Sequence, residues 1–123
     1  MRITQAQLDE LIAHARDDAP NECCGVIANK DGAVATIYRA TNAAASPLRY
    51  ELDSRDLLRI FNAIDDADEE LSAIYHSHTR SAALPSQTDI NLALYPSALY
   101  VIVSIAEADA PDVKAFSIVD RKV

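Results

Sequence analysis

Apolar residues recur along the chain with two different spacings, one typical of helices and one typical of strands. These spacings divide the chain into predicted elements. The first stretch has apolar residues at helical spacing: Leu8, Leu11, Ile12 and Ala15. Thr4 and Gln7 form the sequence pattern of a capping box in front of it, and Pro20 ends it. The pattern therefore predicts a first helix between the capping box and Pro20.

Two further helices are predicted in the second half of the chain. One begins near Asp53 and Ser54, has a solvated acidic end at 65–70, and has a four-residue apolar face: Leu57, Leu58, Phe61 and Ile64. The other is short and is capped by Ser86. It is predicted to continue through Leu94, because Pro96 stops it.

Five short stretches rich in apolar residues predict β-strands: Cys23–Ala28, Ala33–Arg39, Leu71–His78, Ala98–Ile105 and Val113–Val119. The turn at 29–32 joins the first two as a hairpin. The order of elements favours an α/β fold of the α+β kind, in which helices flank one mixed β-sheet. At 123 residues, the chain is expected to form a single domain over 1–123.

Charge and composition exclude several classes of protein. The net charge of −8 argues against nucleic-acid binding, which needs basic residues to neutralise phosphates. No apolar run is long enough to cross a membrane, and the N-terminus lacks the apolar core of a signal peptide. The cytoplasm is therefore the expected location. The neighbouring Cys23 and Cys24 are expected to be small buried apolar residues.

His76 and His78 are candidate metal ligands. They lie two residues apart on a predicted strand, so both side chains point to the same face. Asp89 comes three residues after Ser86, and in the first turn of a helix capped by Ser86 it would face the same side. Two imidazoles and one carboxylate leave a fourth zinc position open for water, which is the pattern of a catalytic site.

The two histidines alone have a second interpretation, in which they cap a strand and hydrogen-bond the following loop. The spacing of Ser86 and Asp89 after the two histidines favours a metal site instead, because the combined pattern is rare by chance. The run "YHSHTRSAALPSQTD" from Tyr75 to Asp89 resembles the signature of the JAMM (MPN-plus) metalloproteases. The stretches "SPLRYELDSRDLLRIFNAIDDADE" and "FSIVD" are similar to the small bacterial members of this family.

This resemblance implies a JAB1/MPN (cytidine-deaminase-like) fold that binds Zn²⁺. It implies that Glu22, which alone would pass for an exposed glutamate, is the general base, and that the Ser86 hydroxyl stabilises the oxyanion. The expected activity is hydrolysis of the amide between the C-terminal tail of a ubiquitin-like (β-grasp) sulfur-carrier protein and cysteine or another amine. The tail is expected to pair with a sheet edge beside the metal.

Two alternatives remain open at this point. One is a general isopeptidase, resembling a deubiquitinase, that acts on ubiquitin-like conjugates. The other is a non-catalytic MPN binding module, which the complete set of motif residues disfavours. Two further residues near or outside the motif receive no chemical role: Ser77 is expected to be structural, and His14 is expected to lie on the surface of the first helix. The oligomeric state is left open.

Overall fold

The computed structural model describes the whole chain, Met1 to Val123, as three helices and five strands. In chain order the elements are α1 (Gln5–Asp18), β1 (Cys24–Lys30), β2 (Ala33–Ala40), α2 (Ser54–Asp66), β3 (Glu70–His78), α3 (Gln87–Asn91), β4 (Leu99–Ser104) and β5 (Asp112–Ser117). The strands form one sheet in the order β2-β1-β3-β4-β5. Only β3 and β4 are parallel; the other neighbours are antiparallel. The predicted mixed sheet is confirmed.

Helices cover both faces of the sheet. Leu11 and Ala15 of α1 belong to the hydrophobic cluster on one face, and Ile60 and Ile64 of α2 belong to the cluster on the other. Because side chains alternate along a strand, β3 contributes to both clusters. Its residues from Ala73 to His78 are all buried, as expected for a central strand.

The two cysteines confirm this alternation. Cys23 lies in the α1-side cluster and Cys24 in the α2-side cluster, and both thiols are free and fully buried. Burial raises the pKa of each thiol to about 12, so neither is a thiolate near neutral pH. The prediction that both are buried apolar residues is confirmed.

Gly25 on β1 is required by its neighbour on β3. A Cβ atom at this position would collide with the ring of Tyr75 and with the carbonyl oxygen of Tyr38. Tyr75 is paired with Gly25 in the sheet register and crosses the space that a side chain would fill. The large aromatic residue before His76 is therefore accommodated by the absence of a side chain on the adjacent strand.

Helix ends and faces depart from the sequence prediction in two places. Leu58 was predicted on the apolar face of α2, but it is 64% exposed because the buried face is narrower than the pattern suggested. The third helix ends at Asn91 rather than at Leu94. The amide of Leu92 closes the helix on the carbonyl of Thr88, and further on the backbone amide of Tyr95 donates to the hydroxyl of Tyr100 on β4. None of the helices is both long and apolar enough to cross a membrane.

Candidate metal centre

His76 and His78 lie at the C-terminal end of β3, and their side chains converge. The two Nε2 atoms are 3.2 Å apart, and both rings are buried. Strand alternation places both residues on the α2 side of the sheet, as the spacing of two predicted. The strand end therefore presents two imidazole nitrogens to a single point.

Asp89 is brought to that point by the start of α3. Ser86 is the N-cap: its Oγ accepts from the amide of Asp89, and the Asp89 carboxylate accepts from the amide of Ser86 in return, both at 3.0 Å. This reciprocal capping box fixes the carboxylate. Its Oδ2 lies 3.1 Å from Nε2 of His76 and 3.0 Å from Nε2 of His78.

The loop between β3 and α3 orients His78. Nδ1 of His78 donates to the carbonyl oxygen of Ala82 at 2.9 Å, which leaves Nε2 as the nitrogen that can bind a metal. The hydroxyl of Ser104 on β4 donates to the carbonyl oxygen of Ser81 at 2.6 Å. The loop that supplies the Ala82 carbonyl is thus anchored to the sheet.

Glu22 precedes β1 and is 4% exposed, so the prediction that it is an exposed residue is wrong. The loop after β2 covers it: its amide donates to the carbonyl of Ser46, and its carbonyl accepts from the side chain of Asn42. Its Oε1 is buried and has no hydrogen-bond partner in the protein. Burial raises the pKa of Glu22 to about 7, with His78 opposing the shift and Asp89 adding to it.

The ligand candidates have perturbed pKa values. Burial lowers the pKa of His76, although hydrogen bonding to Asp89 opposes this. Burial also disfavours ionisation of Asp89, but hydrogen bonds from the two histidines outweigh it and hold its pKa well below the usual range. At His78, burial lowers the pKa, and the hydrogen bonds to Asp89 and Ala82 more than offset this. Asp89 is therefore an anion in a site with low solvent access, which suits a cation.

The donor set fits a zinc ion. One ligand atom from each of His76, His78 and Asp89 lies within 4.8 Å of the other two, and all three residues are buried. Two imidazole nitrogens and one carboxylate oxygen are the ligand types of a catalytic zinc site with a fourth position for water. The buried Oε1 of Glu22 is an acceptor without a protein donor.

The predictions for Ser77 and His14, the two residues given no chemical role, have opposite outcomes. Ser77 is fully buried, and its hydroxyl accepts from the amide of Cys23 at 2.8 Å, which confirms a structural role. His14 is 4% exposed rather than on the surface. Its Nδ1 lies 2.6 Å from the hydroxyl of Tyr75, and its Nε2 lies 3.3 Å from Asp18. The helical pattern missed this because the partner, Tyr75, is 61 residues away in the chain.

The prediction of a sheet edge beside the metal is also wrong. The edge strands are β2 and β5, whereas the histidines are on central β3. An apolar cavity of about 410 Å³ lies on this side of the sheet. It is lined by residues of the 49–57 stretch, of the strands and of the loop after α3. Tyr50 lines this cavity, and its ring stacks on the ring of His76.

Sequence reasoning missed Tyr50 and Asn42, and both belong to the loop that covers the centre. Asn42 is buried and holds the loop through four hydrogen bonds to backbone groups of Glu22, Ala44, Arg49 and Glu51. Neither residue lies in a helix or a strand, so no hydrophobic pattern predicts the direction of its side chain. The only available signal was the resemblance of the stretch containing Tyr50 to the family.

Known proteins match most of this chain. The family described as prokaryotic homologs of the JAB domain matches residues 4–119. The CysO-cysteine peptidase of Mycobacterium tuberculosis is 42% identical over 118 residues, which are 94% of this chain and 81% of that protein. A desampylase of Haloferax volcanii is 38% identical over 103 residues, covering 78% of this chain and 74% of that protein.

Solved structures give the same fold. A protein from Desulfitobacterium hafniense has a TM-score of 0.84 and 35% identity, covering 92% of this chain and 80% of that one. A JAB1/MPN domain protein from Archaeoglobus fulgidus has a TM-score of 0.60 at 14% identity, covering 93% of this chain and 88% of that one, a likeness in fold alone. The predicted fold and enzyme class, a peptidase, are confirmed by these matches. The chain belongs to the prokaryotic JAB family.

Proposed function

We propose that residues 1–123 form one zinc-dependent metallopeptidase domain, in which His76, His78 and Asp89 bind the ion and Glu22 is the general base. The observation that carries the proposal is the convergence of these three buried ligand atoms within 4.8 Å at one strand end. The buried carboxylate of Glu22, which has a free Oε1, supports its role as base.

When bound, zinc supplies a Lewis acid that acidifies water and polarises a scissile carbonyl. The protein residues then handle the proton. Glu22 accepts it from the attacking water through its unpartnered Oε1 and delivers it to the nitrogen of the leaving amine. Burial of this carboxylate disfavours its charged form and so strengthens it as a proton acceptor.

Ser86 is proposed to stabilise the oxyanion. Its Oγ already accepts a hydrogen bond from the amide of Asp89, so the hydroxyl proton remains available to donate. The capping box holds this oxygen in place relative to Asp89, since both residues are fixed by the same pair of hydrogen bonds. A fixed donor beside a developing negative charge is the arrangement that stabilises a tetrahedral intermediate.

The proposed substrate is a conjugate in which the C-terminal tail of a ubiquitin-like (β-grasp) sulfur-carrier protein is joined to cysteine or another amine. The name of the mycobacterial relative, a CysO-cysteine peptidase, supports cysteine as the leaving group. We place the tail in the apolar cavity of about 410 Å³, because Tyr50 forms one of its walls and contacts His76.

A general isopeptidase that acts on protein conjugates is the second candidate. It is favoured by the similarity to the Thermus thermophilus protein described as a probable TtuB-protein conjugate cleaving protease, which is 36% identical over 89 residues. The two candidates share the same metal centre and differ in the leaving group, a free amino acid or a lysine side chain of a protein. The same proposed catalytic groups would serve both reactions.

Incubation with purified conjugates tests the proposal. Zinc-loaded protein is mixed with a sulfur-carrier protein bearing a C-terminal cysteine adduct and, separately, with the same carrier linked to a protein lysine. Intact mass spectrometry follows the products. Selective release of cysteine is expected, and Glu22→Gln is the matched inactive control. Selective cleavage of the lysine-linked conjugate would establish the second candidate, and cleavage of neither by zinc-loaded protein would overturn both.

A further inference from the structure

His76 and His78 are held in different ways. The ring of His78 is oriented by the hydrogen bond from its Nδ1 to Ala82. The Nδ1 of His76 is buried and has no hydrogen-bond partner in the protein. Metal-binding histidines are usually oriented by a hydrogen bond from the second ring nitrogen, so His76 needs another source of orientation.

The ring of Tyr50 supplies one. It is stacked on the ring of His76 with a centroid separation of 4.3 Å and an angle of 19° between the planes. The stack leaves the ring edge of His76 free, and Nε2 on that edge points to Asp89 and His78. A flat contact of this kind restrains the tilt of an imidazole while leaving its ligand atom uncovered.

The position of Tyr50 is built into the fold. The side chain of Asn42 donates to the carbonyl of Arg49 and accepts from the amide of Glu51, both at 3.0 Å, so it fixes the residues on each side of Tyr50. The same side chain donates to the carbonyl of Glu22 at 3.0 Å. The side chain of one buried asparagine therefore hydrogen-bonds both the backbone beside the stacking ring and the backbone of Glu22.

We propose that Tyr50 is a positioning residue of the metal centre, whose stacked ring holds the His76 imidazole in the orientation that directs Nε2 to the ion. The proposal rests on the proposed zinc site, but it concerns ion binding rather than cleavage. It predicts that the planar ring of Tyr50 is required and that its hydroxyl is not.

Zinc affinity of a small set of variants tests this, measured by competition with a chromophoric chelator. Tyr50→Leu and Tyr50→Met remove the planar ring, and Tyr50→Phe retains it. Leu52→Ala is the matched control, because Leu52 lines the same cavity as Tyr50. The absorption spectrum of the Co²⁺-substituted proteins reports ligand geometry independently of activity, and circular dichroism confirms that each variant is folded.

Tyr50→Leu and Tyr50→Met are expected to bind zinc roughly 3- to 30-fold more weakly, in line with the loss of an aromatic contact and of an outer-shell partner. Their Co²⁺ spectra should change, whereas Tyr50→Phe and Leu52→Ala should match the wild type. Wild-type affinity in the Leu and Met variants would overturn the proposal. An equal loss in Tyr50→Phe or in Leu52→Ala would also overturn it.

A measurement on the wild type covers the case in which neither Leu nor Met variant folds. Zinc-loaded protein should show nuclear Overhauser contacts between the rings of Tyr50 and His76, and their absence would refute the stacking role. The outcomes also separate the two proposals. A folded wild type that binds no zinc defeats the proposed function, whereas normal wild-type binding with unaffected Tyr50 variants defeats only the positioning role.

Discussion

Ser77 and Cys23 bond to one another twice. The amide of Ser77 donates to the carbonyl of Cys23 at 3.1 Å, and the amide of Cys23 donates to the hydroxyl of Ser77 at 2.8 Å. Ser77 lies between the two candidate histidine ligands, and Cys23 follows Glu22 directly. This double contact therefore ties the segment of the proposed base to the strand of the proposed metal ligands.

Replacing Ser77 by alanine should damage catalysis more than zinc binding. The change leaves the buried amide of Cys23 without its acceptor, which is expected to lower the free energy of unfolding by about 1–3 kcal/mol. It also loosens Glu22 relative to the histidines, so kcat should fall while zinc content stays near that of the wild type. Urea denaturation, elemental analysis and turnover on one preparation measure these effects, with Ser72→Ala on the same strand as control. A variant with full stability and full kcat would contradict the positioning argument.

Zinc content provides the direct test of the ligand set. The wild type is expected to hold about one zinc per chain, because three protein ligands complete a catalytic site. His76→Ala and Asp89→Ala each remove one ligand atom from the cluster and should lose the ion. Elemental analysis after dialysis measures this, with Asp109→Ala, an exposed acidic position, as control. Full occupancy in either ligand variant would show that the assignment is wrong.

The face of the sheet opposite the metal should behave independently. Tyr75→Phe removes the hydroxyl that lies 2.6 Å from Nδ1 of buried His14 and leaves that nitrogen unpaired. We expect a loss of about 1–3 kcal/mol in the free energy of unfolding and unchanged zinc affinity. Tyr38→Phe is the matched control, because the Tyr38 hydroxyl bonds Glu69 at a part-buried site and should matter less. Weakened zinc binding in Tyr75→Phe would show that the two faces are coupled.

Local patterns predicted most of the fold, because each element carries its own signals. The capping box of Thr4 and Gln7 forms as expected, and Ser86 caps the third helix as expected, with Asp89 in its first turn. Spacing also predicted that the two histidines share a face. The order of the strands could not be read from such signals, and the position of β3 at the centre of the sheet follows only from long-range pairing.

The parts of the site that the sequence did not provide are those fixed by distant contacts. The burial of His14 depends on Tyr75, and the stack on His76 depends on a loop that Asn42 holds. Glu22 was assigned by resemblance alone, and its environment was then predicted wrongly, because no local pattern shows that the 42–46 stretch covers it.

That burial gives Glu22→Gln a measurable effect on stability as well as on turnover. Burial raises the pKa of Glu22 from 4.5 to about 7 in the folded protein, so folding favours its protonated form between these values. Stability that this group contributes is fully present below pH 4.5 and is lost as the pH rises through about 7. In zinc-free protein the loss should amount to about 3 kcal/mol, and Glu22→Gln should not show it.

The same variant tests the mechanism. Glutamine preserves size and the three proposed ligands, so zinc content should be retained, while turnover should fall about 10²- to 10⁴-fold because the proton acceptor is gone. The variant should still bind the conjugate and act as a trap.

Two measurements test these expectations. The first is turnover together with zinc content on one preparation. The second is urea denaturation of zinc-free protein from pH 4 to 8, and Glu10→Gln on the exposed face of α1 is the control for both. Retained zinc with near wild-type turnover would exclude Glu22 as the base. A pH dependence of stability identical to that of the wild type would show that the buried carboxylate does not titrate in this range, even if the metal site is correct.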